Sequence, residues 1–528
     1  MKPILSLLKT ALVFTLCLLP ILELNAQLAL IPYPQKVIVK GDSLSIVGLT
    51  LNPSIYNAAL KINTPAFESH SAKNKKTAII QCNIKQQASL KLQGEKEGYV
   101  LYVLKNKIEI TANSREGLFR ATQTLQQLMH QFATVGKIPC LEITDYPKFS
   151  WRGMHLDCCR HFFSKEEVKQ YIDMIAMYKM NTFHWHLTDD QGWRIEIKKY
   201  PLLTKIGGSR KSSMIGPYKN HEFDSIVYGG YYSQNDIKEV VAYAASKYIN
   251  VIPEIEMPGH SVAALTAYPQ YACFPRAFEV EKEWGVFDDV FCTKDSTLQF
   301  LKDILDEVCA LFPSNYIHIG GDECPKTRWK TCMQCQGKMK KLALKDENEL
   351  QSWFVQDIEK HLNAKGKKII GWDEILEGGL APNAAVMSWR GEEGGTAAAN
   401  LSHAVVMTPG GYCYFDHYQD TPITKEPLAI GGYTSLSKVY NYQPIPKNLP
   451  ADKTSYILGA QGNVWTEYIT TFKQVQYMSN PRICALAEIL WTANEIKDFN
   501  GFKERLKLHS QLLDALGINY CPNFLTEN

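Results

Sequence analysis

Two adjacent carboxylates, Asp322 and Glu323, are the residues of this sequence whose chemistry is most specific. They follow an apolar run and two glycines in the segment NYIHIGGDECPKTRW, residues 315–329. Carboxylate pairs cleave glycosidic bonds, but about 5–5.5 Å apart in retaining enzymes and about 6.5–9.5 Å apart in inverting ones. Neighbouring residues at a strand end point in different directions and are badly placed to bracket one anomeric carbon. The spacing of the pair therefore leaves open which chemistry requires adjacent carboxylates.

A repeating pattern of apolar strands and amphipathic helices begins at Trp151 and must position this pair. The predicted strands are WRGMHLDC, NTFHWHL, YINVIPEIE, NYIHIGGDE, KKIIGWDE, AAVMSWR, HAVVMTPG and SYILGAQGNVW. The first intervening helix, SKEEVKQYIDMIAMYKM, opens with a capping box formed by Ser164 and Glu167. About eight strands, each followed by a helix or a helix-sized loop, predict an α/β fold of the (β/α)8 TIM-barrel class.

Polar and aromatic residues follow the ends of all these strands, where the active sites of such barrels lie. They are Asp157, Arg160, Asp189, Asp190, Glu254, Glu256, His260, Asp322, Glu323, Trp372, Asp373, Glu374, Trp389, Arg390, Tyr414, Asp416, Trp465 and Glu467. Their convergence on one face predicts a pocket. Asp157, Asp190 and Glu254 could equally brace the loops at the strand ends.

Four segments are predicted along the chain: a signal peptide over 1–26, a smaller N-terminal α+β domain over 27–145, the catalytic barrel over 146–495, and a C-terminal helix and tail over 496–528 that close the barrel. In the N-terminal domain, GYVLYVLKNKIEITA predicts two strands joined at KNK, and SREGLFRATQTLQQLMHQFA predicts a helix capped by Ser114. This domain contains no concentrated polar constellation, which favours a supporting role.

The N-terminus, MKPILSLLKTALVFTLCLLPILELNAQ, is typical of an export signal. Lys2 and Lys9 give it a basic start, Pro20 breaks the apolar run, and LNA before Gln27 resembles a cleavage site. A membrane anchor is the alternative, but the run is short for a bilayer span. No later segment is apolar enough to form one, so we expect an exported protein, periplasmic or extracellular, without a stable membrane span.

Composition and charge bear on the partners. The 528 residues are 45% hydrophobic and 21% charged, as in ordinary globular proteins. The formal net charge of +3 falls to about +2 once residues 1–26 are removed, and no long basic block is present. Nucleic acid is therefore not an expected partner, and the oligomeric state stays open.

The 14 cysteines are scattered, unlike the dense framework of a small disulfide-stabilised domain. Cys273 and Cys292 flank one loop-like segment and could form a bridge. CMQC at 332–335, with Cys324 nearby, could suggest zinc, but a second ligand pair at the expected spacing is missing. A disulfide that closes one loop, or free thiols, is therefore favoured. No metal or cofactor is expected.

The ordered set of strand endings resembles glycoside hydrolase family 20, the β-N-acetylhexosaminidases. The matching segments are LDCCRHFF, FHWHLTDDQGWR, PEIEMPGH, HIGGDE, GWDE, SWRG, YCYFDHY and VWTE. They occur in family order and, with IPYPQKV, cover roughly residues 27–495. The resemblance implies an exo-acting, retaining enzyme without a cofactor. Its substrate would be a carbohydrate with a terminal β-linked N-acetylhexosamine, GlcNAc or GalNAc, on oligosaccharides and glycoconjugates.

The resemblance also implies catalytic roles. Glu323 would be the general acid, and Asp322 would hold the substrate's 2-acetamido group by its N–H and stabilise charge on it. Asp189 and His260 would form a polar relay behind Glu323. Glu256 stands where the family often has Asp, so its role is open.

Sugar-binding roles follow from the same resemblance. Arg160, Asp416 and Glu467 would bind ring hydroxyls and block further sugars, and Tyr414 would hydrogen-bond the acetamido oxygen. Three tryptophans would enclose the acetamido group and the ring: Trp372, Trp389 and Trp465.

Substrate assistance, an attribute of this family, explains why the two carboxylates are neighbours. The acetamido carbonyl oxygen attacks its own C1 and forms an oxazolinium ion, and an intramolecular nucleophile gains a large effective concentration. Glu323 must then be protonated near neutral pH, and burial and the charge of Asp322 are both expected to raise its pKa. Asp322 must stay ionised.

Several other residues have plainer interpretations. His184 and His186 lie on one side of the second strand, and HxH can bind metals, but the fifth and sixth strands end in tryptophan, which favours packed histidines. Trp353 and Trp491 fall in helix patterns and are expected in the core. GGYTSLSKVYNYQPIP, 431–446, is expected to be a loop over the site or a plain connection.

Three other functions stay open. A lacto-N-biosidase of the same family would release a disaccharide and need a wider pocket beyond Arg160. A non-catalytic glycan-binding barrel would bind without turnover, although intact Asp322 and Glu323 argue against it. A metal hydrolase would lose its activity with a chelator.

Overall fold

The computed structural model describes residues 28–46, 50–51, 79–84 and 95–525, so the predicted signal peptide lies outside the described residues. The N-terminal part is a six-stranded sheet. Its strands, in spatial order, are Lys36–Ser45, Lys137–Asp145, Tyr99–Leu104, Lys107–Ala112, Ile79–Ile84 and Thr50–Leu51. The predicted helix spans Arg115–Gln131, and the Ser114 hydroxyl caps it by accepting from the amides of Glu116 and Gly117.

The second part is a closed barrel of eight parallel strands, as predicted. Its strands, numbered one to eight along the chain, are Trp151–Asp157, Thr182–His186, Asn250–Glu254, Tyr316–His318, Lys368–Trp372, Ala385–Ser388, Val405–Met407 and Ile457–Gly462. The strands are apolar on both faces because the barrel interior is filled by side chains and helices cover the outside.

Helices follow seven of the eight strands. The α-helices beyond strand one are Lys165–Met177, Leu202–Lys205, Gln234–Ser246, Val262–Ala267, Asp295–Leu311, Thr327–Thr331, Met333–Leu342, Glu347–Asn363, Glu393–Asn400, Gly410–Cys413, Leu436–Tyr440, Phe472–Ser479, Arg482–Trp491 and Phe499–Leu516. The capping box of Ser164 and Glu167 is present. Strand five is instead followed by a single 3-10 turn, Asp373–Leu376. Among the described helices, none combines the length and apolar character needed to cross a bilayer.

The N-terminal part and the barrel share a buried polar junction. Lys179 Nζ lies 2.8 Å from Asp145 Oδ2, and the indole N–H of Trp491 donates to Asp145 Oδ1 at 2.7 Å. Trp491 is fully buried in the core of the N-terminal part. The final helix, Phe499–Leu516, packs on the helix Arg115–Gln131, so it joins the two parts.

Candidate active site

A pocket of about 340 Å3 opens at the C-terminal ends of the barrel strands. It is lined by Arg160, Asp189, Glu256, His260, Asp322, Glu323, Trp389, Tyr414, Asp416, His417, Ile430, Gly431, Gly432, Trp465 and Glu467. Ten of the eleven residues predicted for the site are therefore brought together. The exception is Trp372.

The turn after strand four explains the two glycines before the carboxylates. Gly320 and Gly321 have φ values of 66° and 94°, in the region that favours glycine. A Cβ on Gly320 would lie 1.6 Å from Glu256 Oε2, and one on Gly321 would lie 2.5 Å from a methyl carbon of Ile375. The turn leaves Asp322 buried, whereas the Glu323 side chain is 40% exposed at the pocket. Adjacent residues thus acquire different environments.

His260 connects the carboxylate pair to the second strand. Its Nε2 lies 3.5 Å from Glu323 Oε2 and 3.8 Å from Asp322 Oδ2. Its Nδ1 lies 3.3 Å from Asp189 Oδ1 and 3.0 Å from Asp190 Oδ2. Burial alone would lower the pKa of His260, but these carboxylates outweigh it and raise the pKa well above the ordinary value. The geometry is that of the relay expected behind Glu323.

The ionisation of the pair differs from the expectation. Hydrogen bonding to the charged His260 lowers the pKa of Glu323 and outweighs its partial burial. Burial raises the pKa of Asp322 to about 6, with Glu254 and Glu323 adding to the rise and His260 opposing it. The expectation of a raised pKa for Glu323 is wrong for this structure, because the contact with His260, 3.5 Å away, favours the ionised carboxylate. Asp322 is ionised at neutral pH, as required.

Arg160 is held by carboxylates at one wall of the pocket. Its guanidinium lies 2.9 Å from Asp189, 3.2 Å from Asp157 and 3.6 Å from Glu467. It also lies over the Trp465 ring, 5.2 Å from the centroid. The acidic neighbours outweigh burial and raise the pKa of Arg160 further, so it is a fixed cation in the wall.

Aromatic side chains form the remaining walls. Trp389 and Tyr414 are stacked, with ring centroids 6.0 Å apart and planes at 22°. Trp372 does not line the pocket: it is buried beneath Trp465, at 5.7 Å between centroids, and its indole N–H donates to Glu254. Trp389 and Trp465 are thus exposed to a ligand, whereas Trp372 supports Trp465 from behind.

Four acidic oxygens of pocket-lining residues are buried and have no hydrogen-bond partner among the described residues. They are Glu256 Oε2, Asp322 Oδ1, Asp416 Oδ1 and Glu467 Oε2. Burial raises the pKa of Asp416 well above the ordinary value, and the neighbouring charge of Glu467 adds to this. Buried polar atoms without partners are costly, so these oxygens identify positions where a polar ligand would bind.

A buried polar layer lies beneath the pocket. Glu254 contacts His184 at 3.1 Å, His318 at 2.8 Å and also His186. These histidines are fully buried, so the expectation of packed, hydrogen-bonded histidines is confirmed for the HWH segment. Glu254 is their common acceptor, which keeps its pKa well below the ordinary value despite its burial.

Asp157 and Asp190 brace loops at the strand ends, which was the alternative to a role in lining the pocket. Asp157 accepts from the amides of Cys159 at 2.7 Å and Thr466 at 3.1 Å. Asp190 accepts from the amide of Val262 at 2.9 Å and contacts His260. Both residues therefore hold the backbone around the pocket.

Some pocket residues were missed or only partly anticipated from the sequence. His417 and Ile430 line the pocket but were not predicted for it, although His417 directly follows Asp416 in the segment YCYFDHY. Of the expected loop 431–446, only Gly431 and Gly432 reach the pocket, and the segment then forms the helix Leu436–Tyr440. The GG pair at 431–432 was the one available signal.

Two family models match the chain. "Glycosyl hydrolase family 20, domain 2" matches residues 27–146, and "Glycosyl hydrolase family 20, catalytic domain" matches residues 149–494. A β-hexosaminidase of Porphyromonas gingivalis is 53% identical over 435 residues, which cover 81% of this chain and 55% of the relative. A β-hexosaminidase of Vibrio furnissii is 38% identical over 396 residues, covering 74% of this chain and 64% of that protein. The chain thus spans less than two thirds of these curated relatives.

Solved structures have the same fold. The β-N-acetylhexosaminidase of Bacteroides fragilis NCTC 9343 is 32% identical with a TM-score of 0.77, and the match covers 94% of this chain and 99% of that one. An exo β-N-acetylglucosaminidase of Vibrio harveyi, solved in complex with N-acetylglucosamine, is 32% identical with a TM-score of 0.78, covering 94% and 78% of the two chains.

Proposed function

The chain belongs to glycosyl hydrolase family 20, and we propose that it is an exo-acting, retaining β-N-acetylhexosaminidase. It removes terminal β-linked N-acetylglucosamine or N-acetylgalactosamine from oligosaccharides and glycoconjugates. The observation that carries the proposal is the unlike placement of the two adjacent carboxylates. Asp322 is buried with one unpartnered oxygen, and Glu323 is exposed beside the charged ring of His260. The environment of Asp322 suits an anion that orients the substrate amide, and the position of Glu323 suits a proton donor.

The first chemical step divides the work between substrate and protein. The carbonyl oxygen of the 2-acetamido group attacks C1, the bond from C1 to the leaving oxygen breaks, and Glu323 supplies the proton to that oxygen. Asp322 Oδ1 accepts a hydrogen bond from the amide N–H and stabilises the oxazolinium cation. Water then attacks C1 with Glu323 as the base, which regenerates the acetamide and retains the β configuration.

His260 supplies the acid's proton. In the free site the raised pKa of His260 and the lowered pKa of Glu323 favour the proton on the imidazole, 3.5 Å from the carboxylate. A substrate over the pocket excludes water from Glu323, and loss of water favours the neutral carboxyl group. The proton then moves from His260 to Glu323 and on to the leaving oxygen, while Asp189 holds the ring in place.

The exo mode depends on three polar residues of the pocket lining. These are Arg160, Asp416 and Glu467, and two of them have unpartnered buried oxygens. Sugar hydroxyls are the donors that such oxygens accept from. A terminal sugar that satisfies these residues leaves no path for a further sugar at its non-reducing end.

Hydrolysis of 4-nitrophenyl glycosides tests the proposal. We expect release of nitrophenol from the β-GlcNAc and β-GalNAc glycosides and almost none from the β-glucoside, which lacks the amide. Binding of GlcNAc without turnover would instead identify a glycan-binding barrel. Preferential release from the lacto-N-bioside would identify the biosidase. The control for a contaminating hydrolase is a parallel assay on chitobiose, whose leaving group is poor, because Glu323→Gln must lose the activity on that substrate.

We also propose that residues 1–26 direct export to the periplasm or the extracellular space. The support is the basic start, the short apolar run and the LNA that precedes Gln27. N-terminal sequencing of the protein from the exported fraction should begin at Gln27. Recovery of the uncleaved chain from the membrane fraction would favour the anchor instead.

A further inference from the structure

Four cysteines form a cluster outside the pocket. Cys273, Cys292, Cys332 and Cys335 have sulfur atoms that all lie within 4.8 Å of one another. The separations are 3.7 Å for Cys273–Cys335, 3.8 Å for Cys292–Cys335 and 3.9 Å for Cys292–Cys332. All four are free thiols in the structure, so the bridge considered between Cys273 and Cys292 is not formed.

These separations fit a tetrahedral metal site. A disulfide requires about 2.05 Å between its sulfurs. Four thiolates bound to zinc at about 2.3 Å occupy the corners of a tetrahedron whose edges are about 3.8 Å. Three of the six separations, at 3.7–3.9 Å, match that edge, and the other three are within 4.8 Å. We propose that these four cysteines bind one structural zinc(II) ion, losing their thiol protons as they do so.

Two separate chain segments supply the ligands. Cys332 and Cys335, a C-x2-C pair, lie at the start of the helix Met333–Leu342. Cys273 and Cys292 come from the loop after strand three, where Ala272 and Phe291 form an antiparallel bridge that brings them together. Cys273 and Cys292 therefore provide the second ligand pair that the sequence pattern did not reveal, because 18 residues separate them.

The surroundings suit a structural ion. Cys292, Cys332 and Cys335 are at most 2% exposed, whereas Cys273 is half-buried at the outer side. Apolar side chains enclose the cluster: Val290, Trp329, Met339 and Leu350. All four positions are protein sulfurs, so the site is closed, which is typical of structural rather than catalytic zinc.

The ion would connect the two loops that position the relay. Cys332 and Cys335 belong to the segment that follows Glu323 directly, and Cys292 follows Phe291, whose amide donates to the carbonyl of Pro258 at 3.0 Å. Pro258 is two residues before His260. A shared zinc ion would therefore fix the loop of Glu323 to the loop of His260 without touching the substrate, so its role is structural.

Metal analysis of the full chain tests the proposal. The protein is expressed without a polyhistidine tag, purified without chelators and analysed by mass spectrometry of its metals. We expect one zinc per chain, released stoichiometrically when a mercurial blocks the thiols and detected with pyridylazoresorcinol. No stoichiometric zinc, iron in its place, or two disulfides among these four cysteines in the alkylated, unreduced protein would overturn it.

Variants give an independent comparison. Cys332→Ser/Cys335→Ser should bind less than one tenth of the zinc and melt at a lower temperature, and its decline in activity should follow the loss of folded protein. Cys309→Ser, on the helix Asp295–Leu311 outside the cluster, is the matched control and should keep one zinc per chain. Equal zinc contents in the two variants would contradict the assignment. The wild-type measurements decide the matter even if the double variant fails to fold.

Discussion

His260→Gln should move the alkaline limb of the pH–activity profile to lower pH. The imidazolium lies 3.5 Å from Glu323 Oε2, whose side chain is 40% exposed. With the dielectric constant of water, appropriate to an exposed group, the attraction is about 1.2 kcal/mol, or about 0.9 pKa unit. Removing it raises the pKa of Glu323 from its lowered position by about that amount. The variant loses the one imidazolium that contacts Glu323 among the described residues.

The substitution raises the pKa of the Glu323 carboxyl group, yet it should lower the pH at which the activity declines. In the wild type His260, with its pKa raised well above 6.5, retains the proton through neutral pH. In the variant this imidazolium is absent, so kcat/KM for a substrate with a poor leaving group should begin to fall at a lower pH than in the wild type. At pH 7 it should be about 100-fold lower, which is the lower end of what general-acid catalysis contributes. The assay is hydrolysis of chitobiose from pH 4 to 9.

The control for this experiment is His361→Gln, which removes a surface histidine 2.6 Å from Asp306. Its pH profile should match the wild type. An unchanged alkaline limb in His260→Gln would refute the assignment of His260 as the proton holder, because no other cation contacts Glu323 within 4 Å among the described residues.

Three further substitutions test separate parts of the site. Asp322→Asn should lower kcat/KM about 1000-fold, since a charge about 4 Å from the cation contributes about 4 kcal/mol at an effective dielectric constant of about 20. It should also remove the acidic limb near pH 6, where the wild type loses the Asp322 charge as the pH falls; an unchanged limb would exclude Asp322 as its source. Glu323→Gln should lower kcat on chitobiose by about 100- to 10,000-fold and on nitrophenyl glycosides far less, and equal losses on both would remove Glu323 from the acid role. Gly320→Ala should lower the free energy of unfolding by at least about 1 kcal/mol in urea titrations, because its φ of 66° disfavours alanine and its Cβ meets Glu256. Gly337→Ala, whose Cβ meets nothing within 4 Å, should be neutral or stabilising, and equal destabilisation by both would contradict the close-approach explanation.

Strand periodicity and the barrel rule together predicted which residues meet at the pocket. The polar residues at the strand ends converge because parallel strands of a barrel present their C-terminal ends on one face. That rule depends only on position along each strand, which a sequence contains. It therefore placed Arg160, Asp189, Asp322 and Glu467 correctly although they are far apart in the chain.

What the sequence could not predict depends on contacts between strands. The lowered pKa of Glu323 comes from a 3.5 Å contact with His260, a residue 63 positions earlier. Whether Trp372 lines the pocket or lies beneath Trp465 depends on side-chain packing that strand position does not determine. The short distance between the sulfur atoms of Cys273 and Cys335 depends likewise on a loop of irregular backbone.

The central claim is that the acetamido group of the substrate is the nucleophile. It is tested most directly with 4-nitrophenyl β-glycosides whose N-acetyl group carries zero, one, two or three fluorine atoms, because fluorine weakens the carbonyl oxygen as a nucleophile and hardly changes its size. The account predicts that kcat/KM falls steadily along the series, by at least about tenfold from acetyl to trifluoroacetyl. Equal kcat/KM values across the series would contradict it, since a nucleophile supplied by the protein would be indifferent to the acyl group.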